Sequence, residues 1–186
     1  MTSGASVQAR ERLRLFVALR LPDDAVGAVS AWQERELAGT KRVRPVGTPN
    51  LHVTLAFLGS RPAGDLEAIA RELREAARAA RRPVLTARRY RETRSVGMLV
   101  FDDEAARATA LAEDVHERLE RLGVYEREQR PWLPHVTVVR FRERPRLEPP
   151  LPDLGPISPS EAAVYHSVLR PTGAQYEVLE AVALGG

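Results

Sequence analysis

The amino-acid sequence predicts an α+β fold in which two similar lobes, related by a pseudo-twofold axis, share a central cleft. Predicted elements follow one another as strand, helix, strand, helix, two strands, helix, strand, loop and two strands. That order fits neither a βαβ alternation nor an all-β protein. A His-Val-Thr sequence also occurs twice, which indicates two half-structures. We therefore expect residues 1–186 to form a single domain, with antiparallel sheets lining the cleft and helices packed outside.

The first strand, helix and second strand follow from local patterns near the start of the chain. Apolar residues alternate over Arg12–Arg20, which predicts a strand with Phe16 on the face opposite its leucines. Pro22-Asp23-Asp24 predicts a helix start, because proline and acidic residues favour the first helical turn. Turn-forming residues fill 39–49, and the apolar run over 51–58 predicts the next strand.

The remaining helices and strands show the same two periodicities. Asp65 is expected to cap a helix in which apolar residues recur at helical spacing. A third helix is predicted over about 104–122, because Gly123 is a typical residue at a helix end. Apolar segments predict further strands, separated by an arginine-rich turn at 91–95 and a proline-rich loop at 145–159; they lie at 83–90, 96–101, 135–141, 162–169 and 176–184.

Composition excludes several classes of protein. The chain contains no cysteine, which excludes disulfides, thiol catalysis and thiolate metal sites. No apolar run approaches the ~18 residues of a membrane-spanning helix, and Met1–Glu11 has no apolar core like that of a secretory signal. We therefore expect a cytoplasmic protein without a membrane partner. Every lysine or arginine position except Lys41 is arginine, which is compatible with an anionic partner. The formal net charge of +3 is too small to indicate binding of duplex DNA.

The repeated tripeptide His-Val-Thr, at 52–54 and 135–137, is the feature most typical of a catalytic site. Residues i and i+2 of a strand share a face and lie about 6.6 Å apart. Each histidine therefore projects together with its threonine, while the intervening apolar residues, and Phe57 after the first copy, are expected to face the core. The repeat predicts that four polar side chains line the shared cleft, namely His52, Thr54, His135 and Thr137.

Two histidines facing one substrate suit phosphoester chemistry without a metal ion. One imidazole can accept a proton while the other donates one, and a threonine hydroxyl can donate to a non-bridging phosphate oxygen. Two structural histidines are the alternative interpretation. A zinc site is disfavoured because each motif supplies a single ligand and no third ligand is evident. Of the other histidines, His116 is interpreted as part of a solvated helix face and His166 is given no role.

The flanks of both motifs extend the pattern over essentially the whole chain. Four segments carry the pattern. They are residues 14–19 near the start, the two motif segments 50–59 and 130–140, and Ser167-Val168-Leu169 with Gly173 and Tyr176 near the end. Together these residues resemble the two-histidine (2H) phosphoesterase superfamily. Within it, the sequence is most similar to the bacterial and archaeal RNA 2′,3′-cyclic phosphodiesterases, also called 2′-5′ RNA ligases.

The resemblance implies a reaction and a role for each motif. His52 would protonate the leaving O3′ of the ribose, and His135 would activate water to attack the cyclic phosphate, giving a 2′-phosphomonoester. Thr54 and Thr137 would hold the phosphate oxygens. No metal or cofactor is implied; the substrates would be RNA ends or cyclic nucleotides, and the protein would be a monomer. Two alternatives stay open: 2′-5′ RNA ligation as the main role, and a nucleotide- or RNA-binding module without catalysis.

Two further residues are candidates for substrate binding. By the resemblance, Phe16 would stack on the terminal base, although a structural role is an equal alternative. Arg140 matches an arginine that could clamp phosphate. Strict alternation, however, places Arg140 on the face of Val136 and Val138, so it would need a β-bulge or the end of its strand to reach the cleft.

Overall fold

A computed structural model describes residues 11–171 and 173–185, in which eight strands form one antiparallel sheet accompanied by three α-helices. Residues 1–10, on which the expectation of no secretory signal mainly rests, lie outside the described residues. Short 3₁₀ turns occupy Thr48–Asn50, Ala63–Asp65 and Glu104–Ala106. The elements are β1 (Arg12–Arg20), α1 (Asp23–Glu36), β2 (Val43–Pro45), β3 (His52–Pro62), α2 (Leu66–Ala79), β4 (Leu85–Glu92), β5 (Val96–Asp103), α3 (Arg107–Arg121), β6 (His135–Phe141), β7 (Glu161–Arg170) and β8 (Gly173–Ala183).

The sheet consists of two groups of strands that meet at one point. Its order is β4-β5-β6-β3-β1-β7-β8, with β2 added beside β6. The central strands β3 and β6 pair at a single position, Val53 with Val136. One lobe therefore contains β3, β1, β7 and β8, and the other contains β4, β5, β6 and β2. This curled antiparallel sheet with its helices confirms the predicted α+β class with two lobes.

The helices supply one side of the main hydrophobic core. Trp32 of α1 is fully buried, and its indole nitrogen donates to the Pro150 carbonyl over 2.7 Å. Gln33 donates to the Val138 carbonyl of β6 over 2.6 Å, which fixes α1 to the second lobe. Helices α2 and α3 pack on each other, on β7 and β8 and on β3. A second, smaller cluster is formed by strand residues alone; its members are Phe16, Ala18, Ala163 and Tyr165.

The capping role predicted for Asp65 is wrong. Asp65 lies in a 3₁₀ turn with helical backbone angles, and its side chain makes no capping hydrogen bond. An aspartate does cap the next helix: the Asp103 carboxylate accepts hydrogen bonds from the backbone N–H groups of Ala108 over 2.9 Å and of Thr109 over 2.8 Å at the start of α3. The third helix consequently begins later than predicted, after the 3₁₀ turn at Glu104–Ala106.

The prediction that His116 lies on a solvated face is also wrong. Its side chain is buried, its Nε2 donates to the Leu55 carbonyl of β3 over 2.7 Å, and its ring lies 4.9 Å from that of Tyr125. The neighbouring acidic residues are solvated, but the His116 position faces the sheet.

None of the helices in the described part of the chain has the length and apolar character needed to cross a bilayer.

Candidate active site

The two His-Val-Thr motifs meet where the two lobes join. Their central valines, Val53 and Val136, are paired across the strands and fully buried in the core. The histidines and threonines on either side project from the opposite face and are partly exposed. In an antiparallel pair centred on these valines, each histidine lies opposite the other motif's threonine. The two histidines are then diagonal neighbours across the valine pair; residues so placed in a regular antiparallel pair lie about 7–8 Å apart, and β3 and β6 separate beyond the valines.

Both imidazoles are oriented by the same local hydrogen bond. His52 Nδ1 lies 2.8 Å from the Asn50 carbonyl oxygen, and His135 Nδ1 lies 2.8 Å from the Leu133 carbonyl oxygen. A carbonyl oxygen only accepts, so Nδ1 carries the proton in each neutral ring and donates it. Each Nε2 is therefore the nitrogen with a free lone pair, available for proton transfer.

The hydroxyl of Thr54 is positioned against the first histidine. Its Oγ1 lies 2.9 Å from His52 Nε2 and, because that nitrogen is unprotonated, the hydroxyl donates to it. The indole nitrogen of Trp132, which precedes the second motif, donates to the Thr54 carbonyl over 3.0 Å. This hydrogen bond connects the segment that precedes β6 to β3. The two motifs are therefore held together by this bond as well as by the pairing of Val53 with Val136.

Phe16 lies beside His52 but is covered by other aromatic residues. Its ring centroid is 4.9 Å from that of His52, and Tyr165 stacks on it at 4.8 Å with 4° between the planes. Tyr176 meets it edge-on, also at 4.8 Å. Only 3% of Phe16 is exposed. In this conformation Phe16 supports the ring of His52 and has no open face for a base, so base stacking by Phe16 stays a prediction.

This environment changes the protonation of His52. Burial lowers its pKa from 6.5 to about 4, because a charged imidazolium is poorly solvated there. The hydrogen bond to the Asn50 carbonyl partly offsets this effect on the His52 pKa, while the electrostatic influence of His135 and Arg140 adds to it. His52 is therefore neutral near pH 7 in the free protein, and Arg140 lies close enough to the motif to act on it.

A β-bulge brings Arg140 to the cleft face. Along β6, Thr137 pairs with Met98 but Val139 pairs with Gly97, so Val138 is an extra residue. Val138 and Val139 are both fully buried, and alternation resumes one residue later with Arg140 exposed. Strict alternation in the sequence required a β-bulge or a strand end for Arg140 to reach the cleft, and the structure has the bulge. It places Arg140 on the same face as His135 and Thr137.

An equivalent bulge in β3 overturns the prediction that Phe57 faces the core. Thr54 pairs with Ala18 and Ala56 pairs with Val17, so Leu55 is the extra residue. Phe57 is consequently 48% exposed, and the Arg14 guanidinium lies 4.7 Å from its ring centroid. Phe57 thus occupies in the first motif the position that Arg140 occupies in the second. Two consecutive apolar residues after each threonine were the only sequence signal for these bulges.

No group of three or more His, Cys, Asp or Glu side chains in residues 11–171 and 173–185 is arranged to hold a metal ion. The groups that the structure brings to the junction of the lobes are two imidazoles, two hydroxyls and a guanidinium. These groups can move protons and bind an anion.

Comparison with known proteins agrees with this arrangement. The family model of LigT-like phosphoesterases matches residues 19–92. The crystal structure of Escherichia coli LigT in its apo form superposes with a TM-score of 0.80 at 26% identity, covering 95% of this chain and 99% of that one. The chain is therefore similar to the LigT-like phosphoesterases, in sequence over residues 19–92 and in fold over nearly its whole length.

Other solved structures and the curated proteins complete the comparison. TT0787 of Thermus thermophilus is similar to this chain at 28% identity, with a TM-score of 0.79 over 92% of this chain and 98% of that one. E. coli LigT has also been crystallised with 3′-AMP, and that structure matches at 25% identity with a TM-score of 0.79, over 95% of this chain and 100% of that one. No curated protein matches the chain significantly.

Proposed function

We propose that this chain is a LigT-like phosphoesterase, acting as one domain, that hydrolyses the 2′,3′-cyclic phosphate at RNA ends and gives a 2′-phosphomonoester without a metal ion. The observation that carries the proposal is the pair of diagonal histidines, each with Nδ1 held by a carbonyl oxygen and Nε2 left for proton transfer. Such a pair can serve both ends of an in-line displacement at a phosphorus atom between them.

The proposed reaction assigns one proton transfer to each histidine. His135 Nε2 takes a proton from water as the water oxygen bonds to phosphorus. The bond between phosphorus and O3′ breaks, and His52 Nε2 gives its proton to the departing O3′. The product carries a 3′-hydroxyl and a 2′-phosphate, and each histidine ends in the protonation state in which the other began.

His52 must be charged to act as the acid, although it is neutral in the free protein. An anionic phosphate within about 4–6 Å favours the imidazolium and raises the pKa that burial lowers. Substrate binding would therefore bring the proton to His52. The Thr54 hydroxyl, which donates to His52 Nε2 in the free protein, would then turn to a phosphate oxygen.

The remaining polar groups would bind the non-bridging oxygens. The Thr54 hydroxyl lies against His52, Thr137 shares a strand face with His135, and the bulge brings Arg140 to the same face. Hydrogen-bond donors arranged in advance around the phosphate stabilise the charge that grows in the transition state. The E. coli LigT structures with 3′-AMP, NADP⁺ and ATP support a nucleotide substrate for this cleft.

The reaction is tested with a short RNA that ends in a 2′,3′-cyclic phosphate, in excess EDTA because the proposed reaction uses no metal ion. We expect turnover to a 2′-phosphate end, identified by ³¹P NMR on the cyclic mononucleotide. His52→Ala and His135→Ala should each lose about 10²–10⁴-fold in kcat. Joining of the cyclic end to a 5′-hydroxyl RNA in place of hydrolysis, binding without turnover, or loss of activity to EDTA would each contradict the proposal.

The two roles are separated by a substrate whose leaving group needs no acid. p-Nitrophenolate departs from a phosphodiester without being protonated. His52→Ala should therefore recover most of its lost activity on a nucleoside p-nitrophenyl phosphodiester, whereas His135→Ala, which still lacks its base, should not. Recovery by His135→Ala alone would exchange the two assignments.

A further inference from the structure

The cleft face of the second lobe continues past the histidines to two arginines on β4. Two rows of paired residues cross β6, β5 and β4 in register. One row runs from His135 through Val100 to Arg89, and the other runs from Thr137 through Met98 to Arg91. Residues paired across an antiparallel sheet project from the same face. We call Arg89 and Arg91 the β4 arginines.

The alternate residues of β4 and β5 confirm which face carries them. Leu99 and Phe101 belong to the main core, and Tyr90 packs against it with its ring 6.4 Å from that of Trp32. The β4 arginines alternate with Tyr90 and therefore lie on the opposite face, which is the face of the active site. Both are exposed to solvent.

The charge of the β4 arginines is not neutralised by neighbouring residues. In the described part of the chain no carboxylate lies within 4.0 Å of either guanidinium, whereas Arg88, next to them, pairs with Asp102 at 3.2 Å. Arg44 of β2 pairs in register with Arg140 of β6, and these two arginines also have no carboxylate partner among the described residues. The cleft face of this lobe therefore presents four arginines around an anion-binding site.

The spacing suits a chain of phosphates that starts at the histidines. Neighbouring strands lie about 4.8 Å apart, so the backbone of Arg89 is about 10 Å from that of His135 across β5. Between them the floor is apolar and buried, because Val100 is 2% and Met98 7% exposed. A polyanion leaving the active site in this direction meets no hydrogen-bonding side chain in these two rows until it reaches the β4 arginines.

We propose that the β4 arginines bind the backbone phosphates of single-stranded RNA immediately 5′ of the reacting end. This inference rests on the proposed function, and it makes an oligonucleotide, rather than a cyclic mononucleotide, the preferred substrate. Guanidinium groups contact phosphate oxygens without reading the base, so the surface contributes affinity independent of sequence.

The surface is tested by the salt dependence of RNA binding. The probe is a fluorescein-labelled RNA tetranucleotide that ends in a 2′-phosphate, and its Kd is measured by anisotropy between about 50 and 300 mM salt, a range over which exposed charges become increasingly screened. Each phosphate contact to a single strand contributes about 0.7 to the slope of log K against log salt. Arg89→Gln/Arg91→Gln should therefore lower the slope by about 1.4 and weaken binding at low salt. Turnover of the cyclic mononucleotide should match that of the wild type.

The matched control is Arg78→Gln/Arg121→Gln, which removes the same charge from the outer helices. Both side chains are exposed, at 74% and 64%, on α2 and α3, which pack against the other face of the sheet. The control should keep the wild-type slope. An unchanged slope in the β4 variant, or an equal loss in the control, would overturn the proposed surface. Salt-dependent RNA binding that needs the β4 arginines, without hydrolysis of any cyclic substrate, would uphold the surface and reject the proposed reaction.

Discussion

At the scale of single residues, the site depends on a short unit that occurs twice. In each copy a histidine bonds through Nδ1 to the carbonyl two residues earlier and shares a strand face with the threonine two residues later. The two copies differ in their surroundings, however. Phe16, Tyr165 and Tyr176 surround His52 alone, and their apolar rings account for the burial that lowers its pKa.

The threonine hydroxyls are tested by replacement with valine, which keeps the branched shape and the strand preference but removes the donor. Removal of one preorganised donor costs on the order of 10²–10³ in kcat. We expect Thr54→Val and Thr137→Val each to lose mainly kcat, with a smaller change in KM, because the donors act most strongly on the transition state. Steady-state kinetics decide this point, and near-wild-type kcat in both variants would leave the threonines as strand formers only.

The lowered pKa of His52 also predicts how stability varies with pH. The folded pKa of about 4 lies below the unfolded value of 6.5, so the unfolded chain binds more protons between these values. Stability is therefore highest above pH 6.5 and falls as the pH drops towards 4, by about 3 kcal/mol for this group. Urea unfolding of wild type and His52→Gln at pH 7.5 and pH 4 measures the effect. The wild type should lose more stability than the variant, and parallel losses would show that His52 titrates normally.

At the scale of elements, the two bulges decide which side chains reach the cleft. The bulge in β6 lies opposite Gly97, where an added Cβ would stand 2.6 Å from Val139 Cγ1 and would also meet the Tyr90 side chain. Gly97 therefore makes room for the side chains of Val139 and Tyr90. Without the bulge, strict alternation would return Arg140 to the face of Val136.

Substitution of Gly97 tests this close packing. Gly97→Ala should lower the free energy of unfolding by about 1–3 kcal/mol, because an extra methyl group in a filled core forces its neighbours apart. Gly27→Ala is the matched control, since Gly27 lies inside α1 with nothing within 4 Å of an added Cβ. There the same change should raise the free energy of unfolding by about 0.5–1 kcal/mol. Equal effects of the two substitutions in urea unfolding would reject the close packing at Gly97.

At the scale of the whole molecule, one sheet supplies two different surfaces. Its helix-covered face buries the apolar residues of both lobes in a common core. Its other face carries the histidines, the threonines and Arg140 around the point where β3 and β6 meet. Because the two strands pair only at Val53 and Val136, they separate on both sides of the site, and β2 rather than β3 pairs with the end of β6 beside Arg140.

Local patterns were sufficient for most of the fold and for the core of the candidate site. Alternation over Arg12–Arg20 predicted β1 with its observed bounds, and the repeated His-Val-Thr predicted two polar pairs on one face of their strands. These features depend on backbone periodicity, which a sequence carries by itself.

Tertiary structure alone decided the features that depend on neighbouring strands. A bulge is a mismatch between two strands, so the placement of Phe57 and Arg140 followed from pairing with β1 and β5 and not from their own segments. The burial of His116 depended on where α3 packs, and the neutral state of His52 on aromatic residues that β1, β7 and β8 bring around it. The sequence determined which side chains can do chemistry, and long-range packing determined which of them share the cleft and in what protonation state, because solvation and pairing are properties of the folded neighbourhood.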